Sequence, residues 1–255
     1  MADQLGALQA SVERLHRIAA PLDPAQLDRQ AYPSEWSVAQ TLSHIGSGAV
    51  IMRSRVDDLL AGAETDDGFA PSVWDEWNAK TPEAMRTDAL ASDAALLDRL
   101  ATLTDQERAG FRFQMGPMDL DFAGLVGLRL NEHALHTWDV EVTFDPSAAV
   151  APTSVDLVVD NLQMLAGFSG KPIGAERDVH VRTTDPERDF TLVFTNDGVS
   201  LEAGATPGPP DLELPAEAFI RLIYGRLDPD HTPSAVSGSG GTDLLAELRR
   251  AFPGF

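Results

Sequence analysis

Between Leu125 and Val142 apolar residues recur at helical spacing, and a carboxylate interrupts them. Leu125, Leu128, Glu132, Leu135, Asp139 and Val142 fall on one seam of a helix. A carboxylate inside an apolar stripe is costly unless it is paired or coordinates a metal. His136 follows Glu132 by four residues, so the imidazole projects beside the carboxylate. The pair constrains the fold, because the chain has to bring a third group from another element to this face.

The sequence offers helices to supply it. Residues 3–19 carry Leu5, Leu8, Val12, Leu15 and Ile18 three and four apart, an amphipathic helix. Ser37 with Gln40 three residues later forms a capping-box pattern. The helix it starts runs to about Leu60 on a stripe of Val38, Leu42, Ile45, Ala49, Met52, Val56 and Leu59. Trp74 and Trp77 read as part of a polar connector. A third helix spans roughly Pro82 to Leu103, Met115-Gly116-Pro117-Met118 reads as a turn, and a fourth helix runs from about Asp119 to Val142. Four long helices joined by loops predict a four-helix bundle.

The texture changes after Asp145-Pro146. One helix is expected over Ser154–Phe168, followed by short alternating runs at Val179–Arg182, Phe190–Phe194 and Val199–Glu202. Asn196-Asp197-Gly198 between the last two is a hairpin signal. Leu212–Leu214, a helix over Pro215–Tyr224 and a terminal helix over Thr242–Phe252 complete a small α+β domain. The expected division is 1–147 for the bundle and 148–255 for the α+β domain.

Composition excludes several function classes. The net charge is −21, from 40 acidic and 19 basic residues. That balance opposes nucleic-acid phosphates and anionic membrane surfaces. No run of apolar residues is long enough to span a membrane. The start Met1-Ala2-Asp3-Gln4-Leu5 shows no secretory pattern, so the expected location is cytoplasmic. The absence of cysteine rules out disulfides, a protein thiolate and thiolate zinc ligands, so any thiol must arrive on a small molecule.

His44, on the second helix just off its core stripe, is the candidate third group. Gly46, Ser47 and Gly48 crowd the same turn. Glycines inside a helix cost about 1 kcal/mol each relative to alanine, and here they suggest space beside the imidazole. His44, Glu132 and His136 on facing helices would make a three-ligand metal site with open positions, the catalytic pattern for zinc. His133 competes with Glu132 for that role but lies further from the seam. Asp139, near His136, is a candidate partner for orienting an imidazole. His16, His180 and His231 read as ordinary histidines.

Trp36-Ser37, six residues, then His44, together with Glu132-x-x-x-His136-x-Trp138-Asp139, resemble the DinB-type bundle of actinobacterial mycothiol-dependent enzymes. The maleylpyruvate isomerase family is the closest resemblance. It implies a DinB-type four-helix bundle followed by a C-terminal α+β domain similar to a sterol carrier protein. It further implies a divalent metal, usually Zn2+, on His44, Glu132 and His136, with mycothiol as the thiol cosubstrate. In Tyr224-Gly225-Arg226-Leu227-Asp228 the resemblance makes Arg226 the catalytic arginine of the C-terminal domain. A surface cation at a helix end is the plainer reading of Arg226.

Three functions follow as expectations. The first is a mycothiol-dependent enzyme, either an isomerase of maleylpyruvate-like substrates or an S-transferase. The others are a thiol-independent metal-hydroxide hydrolase or lyase, and a non-catalytic binding protein for a small ligand. The expected partners are the small-molecule substrate and mycothiol, with the chain a monomer or weak homodimer.

Overall fold

The computed structural model describes residues 4–115, 118–204 and 207–254. It consists of two compact units, Met1–Ala148 and Ala149–Phe255. The fold is a helical bundle followed by an α+β unit, as expected.

The first unit contains α1 (Gln4–Ala19), α2 (Pro24–Leu27), α3 (Val38–Ala61), α4 (Phe69–Asn78), α5 (Pro82–Ala101) and α6 (Asp105–Gly110). A hairpin of β1 (Phe113–Met115) and β2 (Met118–Leu120) leads to α7 (Phe122–Val142). Residues 116 and 117 of the expected turn lie outside the described residues. Both α1 and α3 pack against α5 and α7, so the four long helices close a bundle.

Local chemistry fixes where the long helices begin and end. Ser37 accepts from Gln40 N while Gln40 accepts from Ser37 N, a reciprocal capping box at the start of α3. Gly62, at φ +67°, ends that helix in the left-handed conformation that glycine adopts freely. Thr81 with Pro82 opens α5, and Asp121 caps α7.

Two sequence expectations for this unit need correction. Trp74 and Trp77 belong to α4, not to a polar connector. Pro71 occupies the first turn of that helix, where the missing N–H has no helical partner to lose. The expected seam of α7 also gives way. This helix is buried nearly all round, and Leu128 and Glu132 are among its more open positions. A helix buried on nearly every side is a central one, so burial does not single out one stripe.

The second unit begins with α8 (Pro152–Val159) and α9 (Leu162–Ser169), which replace the single helix expected over Ser154–Phe168. The break falls at Asp160-Asn161, short polar residues that cap and turn more readily than they propagate a helix. Strands β3 (Arg177–Thr184), β4 (Arg188–Phe194), β5 (Val199–Ala203) and β6 (Leu212–Pro215) form a sheet in the order β5-β4-β3-β6. Its pairs are antiparallel except β3 with β6. The register aligns Val181 with Phe190 and Leu192 with Leu201, so one face is apolar. Helix α10 (Ala216–Ile223) packs against β3 and β6, with Phe219 stacked 5.3 Å from Phe190. Helix α11 (Gly241–Ala251) packs on β6. No described helix is long and apolar enough to cross a membrane.

Candidate metal centre

Moving along α3 from His44 to Gly48 runs back along α7 from His136 to Arg129, so the two helices are antiparallel neighbours. His44 therefore faces Glu132 and His136 across the α3–α7 interface. One ligand-type atom from each of the three lies within 4.8 Å of the others. His44 Nε2 and His136 Nε2 are each 3.6 Å from Glu132 Oε2. That separation is too long for a hydrogen bond. It is close to the roughly 3.4 Å between neighbouring donors that each stand 2.0–2.2 Å from a tetrahedral zinc. The side chains of His44 and Glu132 are 42% and 43% exposed, and that of His136 is 10% exposed. The cluster thus has a rigid inner side and an accessible outer one.

The surroundings fix each donor. Asp139 Oδ2 lies 2.8 Å from His136 Nδ1 and is fully buried. The bond holds the proton on Nδ1 and leaves Nε2 toward Glu132. Trp36 stacks on both imidazoles, with centroids 5.0 Å from His44 and 5.9 Å from His136. A tight turn holds that indole, closed by Ala31 N donating to Trp36 O and by Val38 N donating to Arg29 O.

Charge in the cluster suits a cation. Burial pushes the His44 imidazole below its ordinary pKa, aided by the charges of His136 and Arg129 and only partly opposed by Glu132. Burial alone would raise the Glu132 carboxyl, but the polar contacts and charges of His136 and His44 outweigh it and hold the group well below the usual carboxylate range. An anionic carboxylate beside imidazole lone pairs is the protonation state metal binding requires. The donor set therefore fits a divalent ion, and two imidazoles with one carboxylate suit zinc.

His133 does not join this cluster. It is fully buried and turned to the other side of α7, where Nδ1 meets Ser11 Oγ at 2.8 Å and Thr137 Oγ1 at 3.2 Å. Its Nε2 lies 3.1 Å from Asp93 Oδ2, and Asp93 Oδ1 accepts from Arg129 Nη2 at 2.6 Å. Sequence reasoning missed Asp93 and Arg129. The signal was present, because Asp93 falls on the buried stripe of Met85, Ala89, Leu96 and Leu100. The glycines of α3 also differ from expectation. Space at Gly46 admits the Trp77 ring and Ala89, and space at Gly48 faces Arg129, so neither clears room for the imidazole itself.

In the second unit, Arg226 is 8% exposed, and its Nη1 donates to Tyr224 O at 2.8 Å. It is not the loose surface cation of the plainer reading. It follows Gly225, whose φ of +71° and close approach to the Gly254 backbone leave no room for a Cβ. His180 bonds Asp189 at 2.8 Å and His231 bonds Asp228 at 2.9 Å, so both sit in local hydrogen bonds.

A four-helix bundle carrying a His-Glu-His cluster between two antiparallel helices, followed by an α+β unit, defines the class. The chain belongs to the family of the mycothiol maleylpyruvate isomerase N-terminal domain, whose profile matches residues 8–141. That is the family read from the Trp36–His44 and Glu132–Asp139 segments. Two solved structures share the fold. A mycothiol-dependent maleylpyruvate isomerase matches with a TM-score of 0.68 at 12% identity, over 93% of this chain and 92% of that one. A histidine-to-alanine mutant of mycothiol-dependent maleylpyruvate isomerase matches with a TM-score of 0.65 at 11% identity, over 88% of each chain. No curated protein sequence matches the chain.

Proposed function

We propose that this protein is a cytoplasmic metal-dependent enzyme that uses mycothiol against an electrophilic small molecule. His44, Glu132 and His136 hold the metal in this reading. The observation that carries it is the convergence of their ligand atoms within 4.8 Å in the family's bundle. A zinc ion bound there would take up the thiol sulfur and keep it deprotonated near neutral pH.

The chain's own groups then have distinct duties. Having no cysteine, the protein leaves the nucleophile to its cosubstrate. As metal ligands Glu132 and His44 would have their lone pairs engaged, so the thiol proton would pass to solvent. Asp139 keeps His136 in one tautomer and one orientation. Trp36 screens one side of the cluster from water. Arg226 is assigned to a substrate carboxylate, which a guanidinium can grip with two parallel hydrogen bonds.

Cis-trans isomerisation of a maleylpyruvate-like substrate is the favoured reaction, because the two matched structures are maleylpyruvate isomerases. S-transfer differs only in that the adduct departs intact. Incubating metal-loaded protein with maleylpyruvate, with and without mycothiol, tests the reading. Fumarylpyruvate formed only with the thiol supports isomerisation, and a stable thioether supports transfer. Turnover of equal rate without thiol contradicts the proposal and favours a metal-hydroxide enzyme.

A further inference from the structure

One turn deeper than the His-Glu-His cluster, α3 presents Gly48 and α7 presents Arg129. Arg129 is 5% exposed, and its charge is already committed on one side. Nη2 donates to Asp93 Oδ1 at 2.6 Å and to the Ile45 carbonyl at 2.9 Å. A guanidinium carries five N–H donors, and these two bonds use only one of its nitrogens. Nε is buried with no partner among the described residues. Nη1 makes no hydrogen bond among them either, yet it is not shut off from solvent as Nε is.

Gly48 shows where Nη1 points. A Cβ built on this glycine would meet Arg129 Nη1 at 3.1 Å and, apart from its chain neighbours and the backbone of its own helix, no other atom within 4 Å. The missing side chain therefore leaves a slot whose single close neighbour is an unbonded guanidinium NH2. Gly48 is half-buried, so the slot is open to the solvent side of α3. Glycine is a poor helix former, and what crowds a Cβ here is Arg129 Nη1 itself, whereas Gly46 packs against Trp77. Buried donors without partners in a folded protein call for an explanation.

We propose that the Gly48 slot is a carboxylate-binding subsite in which Arg129 Nη1 holds one carboxylate of a dicarboxylate substrate. Asp93 and the Ile45 carbonyl fix the guanidinium, so the free nitrogen is presented without loss of side-chain freedom on binding. Gly48 lies four residues beyond His44, and Arg129 three before Glu132, so the subsite borders the proposed metal centre on both helices. The inference rests on the reading of the bundle as a substrate site. It deepens that reading, because it names a partner within the bundle for a carboxylate of a maleylpyruvate-like substrate.

The test is calorimetric titration of maleate into full-length, metal-loaded wild-type protein and into Gly48→Ala and Arg129→Met. Metal content and thermal unfolding are recorded on the same samples. Gly48→Ala fills the slot while retaining the Arg129 charge and suiting a helix better than glycine, so it keeps the test clear of misfolding. The expected result is that Gly48→Ala keeps its metal and its thermal stability while maleate affinity falls about tenfold or more, the scale of one lost charged hydrogen bond. Arg129→Met is expected to lower affinity at least as far. Equal maleate affinity in wild type and Gly48→Ala overturns the proposal, as does a wild type that binds no maleate at millimolar concentration. Maleate binding lost in Gly48→Ala while the wild type takes up no metal retains the subsite and removes the metal reading instead.

Discussion

Asp139 Oδ2 stands 2.8 Å from His136 Nδ1, fully buried and one helical turn from the imidazole it holds. It decides which nitrogen of His136 faces Glu132, and with it whether the cluster presents lone pairs or protons. Replacing Asp139 by alanine removes that partner of Nδ1 and loosens its hold on the ring. The expected outcome is a loss of roughly 10–100-fold in metal affinity, measured by competition with a chromophoric chelator. Asp139→Asn, which can still accept from Nδ1–H, should recover part of it.

The buried Asp93 of α5 pairs with both Arg129 and His133 of α7, and Ser11 of α1 behind His133 brings in a third helix. Removing one partner of a buried ion pair strands the other, a loss of about 3–5 kcal/mol. Asp93→Asn should show it in urea unfolding at neutral pH. Burial opposes the Asp93 charge, but His133 and Arg129 outweigh burial and depress its pKa below the ordinary 3.8. A depressed carboxyl stabilises the fold above its unfolded value, and that stabilisation is lost as pH falls through the folded value. The wild type should therefore weaken in acid below about pH 4, and Asp93→Asn should lose that part of the slope.

The two glycines of α3 make predictions of different size. A Cβ on Gly46 would come within 2.4 Å of the Trp77 ring and 2.6 Å of the Ala89 Cα. Overpacking of this kind typically costs about 1–3 kcal/mol, enough to exceed the ~1 kcal/mol that alanine gains over glycine in a helix. Gly46→Ala should lower the urea midpoint, whereas Gly48→Ala, whose Cβ would meet only the end of the Arg129 side chain at 3.1 Å, should move it much less.

Much of this was legible in the sequence, and the rest failed for identifiable reasons. Ser37 with Gln40 marked the start of α3, and the four-residue step from Glu132 to His136 put the two side chains on one face, because both signals are local. Helix α4 was hidden because Gly68 and Pro71 punctuate its first turn and an acidic run precedes it. The split between α8 and α9 was hidden because a continuous apolar pattern runs across Asp160-Asn161. Asp93 looked like the other acids of α5, since spacing alone does not say that its stripe meets Arg129 of a distant helix. The partner of a buried charge is a tertiary fact.

Arg226 tests the second unit separately. Its guanidinium is nearly buried and oriented by the Tyr224 carbonyl. If it holds a substrate carboxylate, Arg226→Lys keeps the charge but loses the paired geometry. The expected effect is a fall of roughly 10–100-fold in kcat/KM, the equivalent of one charged hydrogen bond, carried mainly by KM. Unchanged metal content would separate this from damage to the bundle, and unchanged kinetics would remove Arg226 from the site.

The central claim is that His44, Glu132 and His136 hold one divalent ion that engages mycothiol. The most direct measurement is metal content per chain of wild type and of His44→Ala, Glu132→Ala and His136→Ala, each purified without chelator and then titrated with mycothiol by calorimetry. The account predicts about one zinc per chain in the wild type, its loss in all three variants, and thiol binding that disappears with the metal. A wild type without metal, or variants that keep both metal and thiol binding, would contradict it.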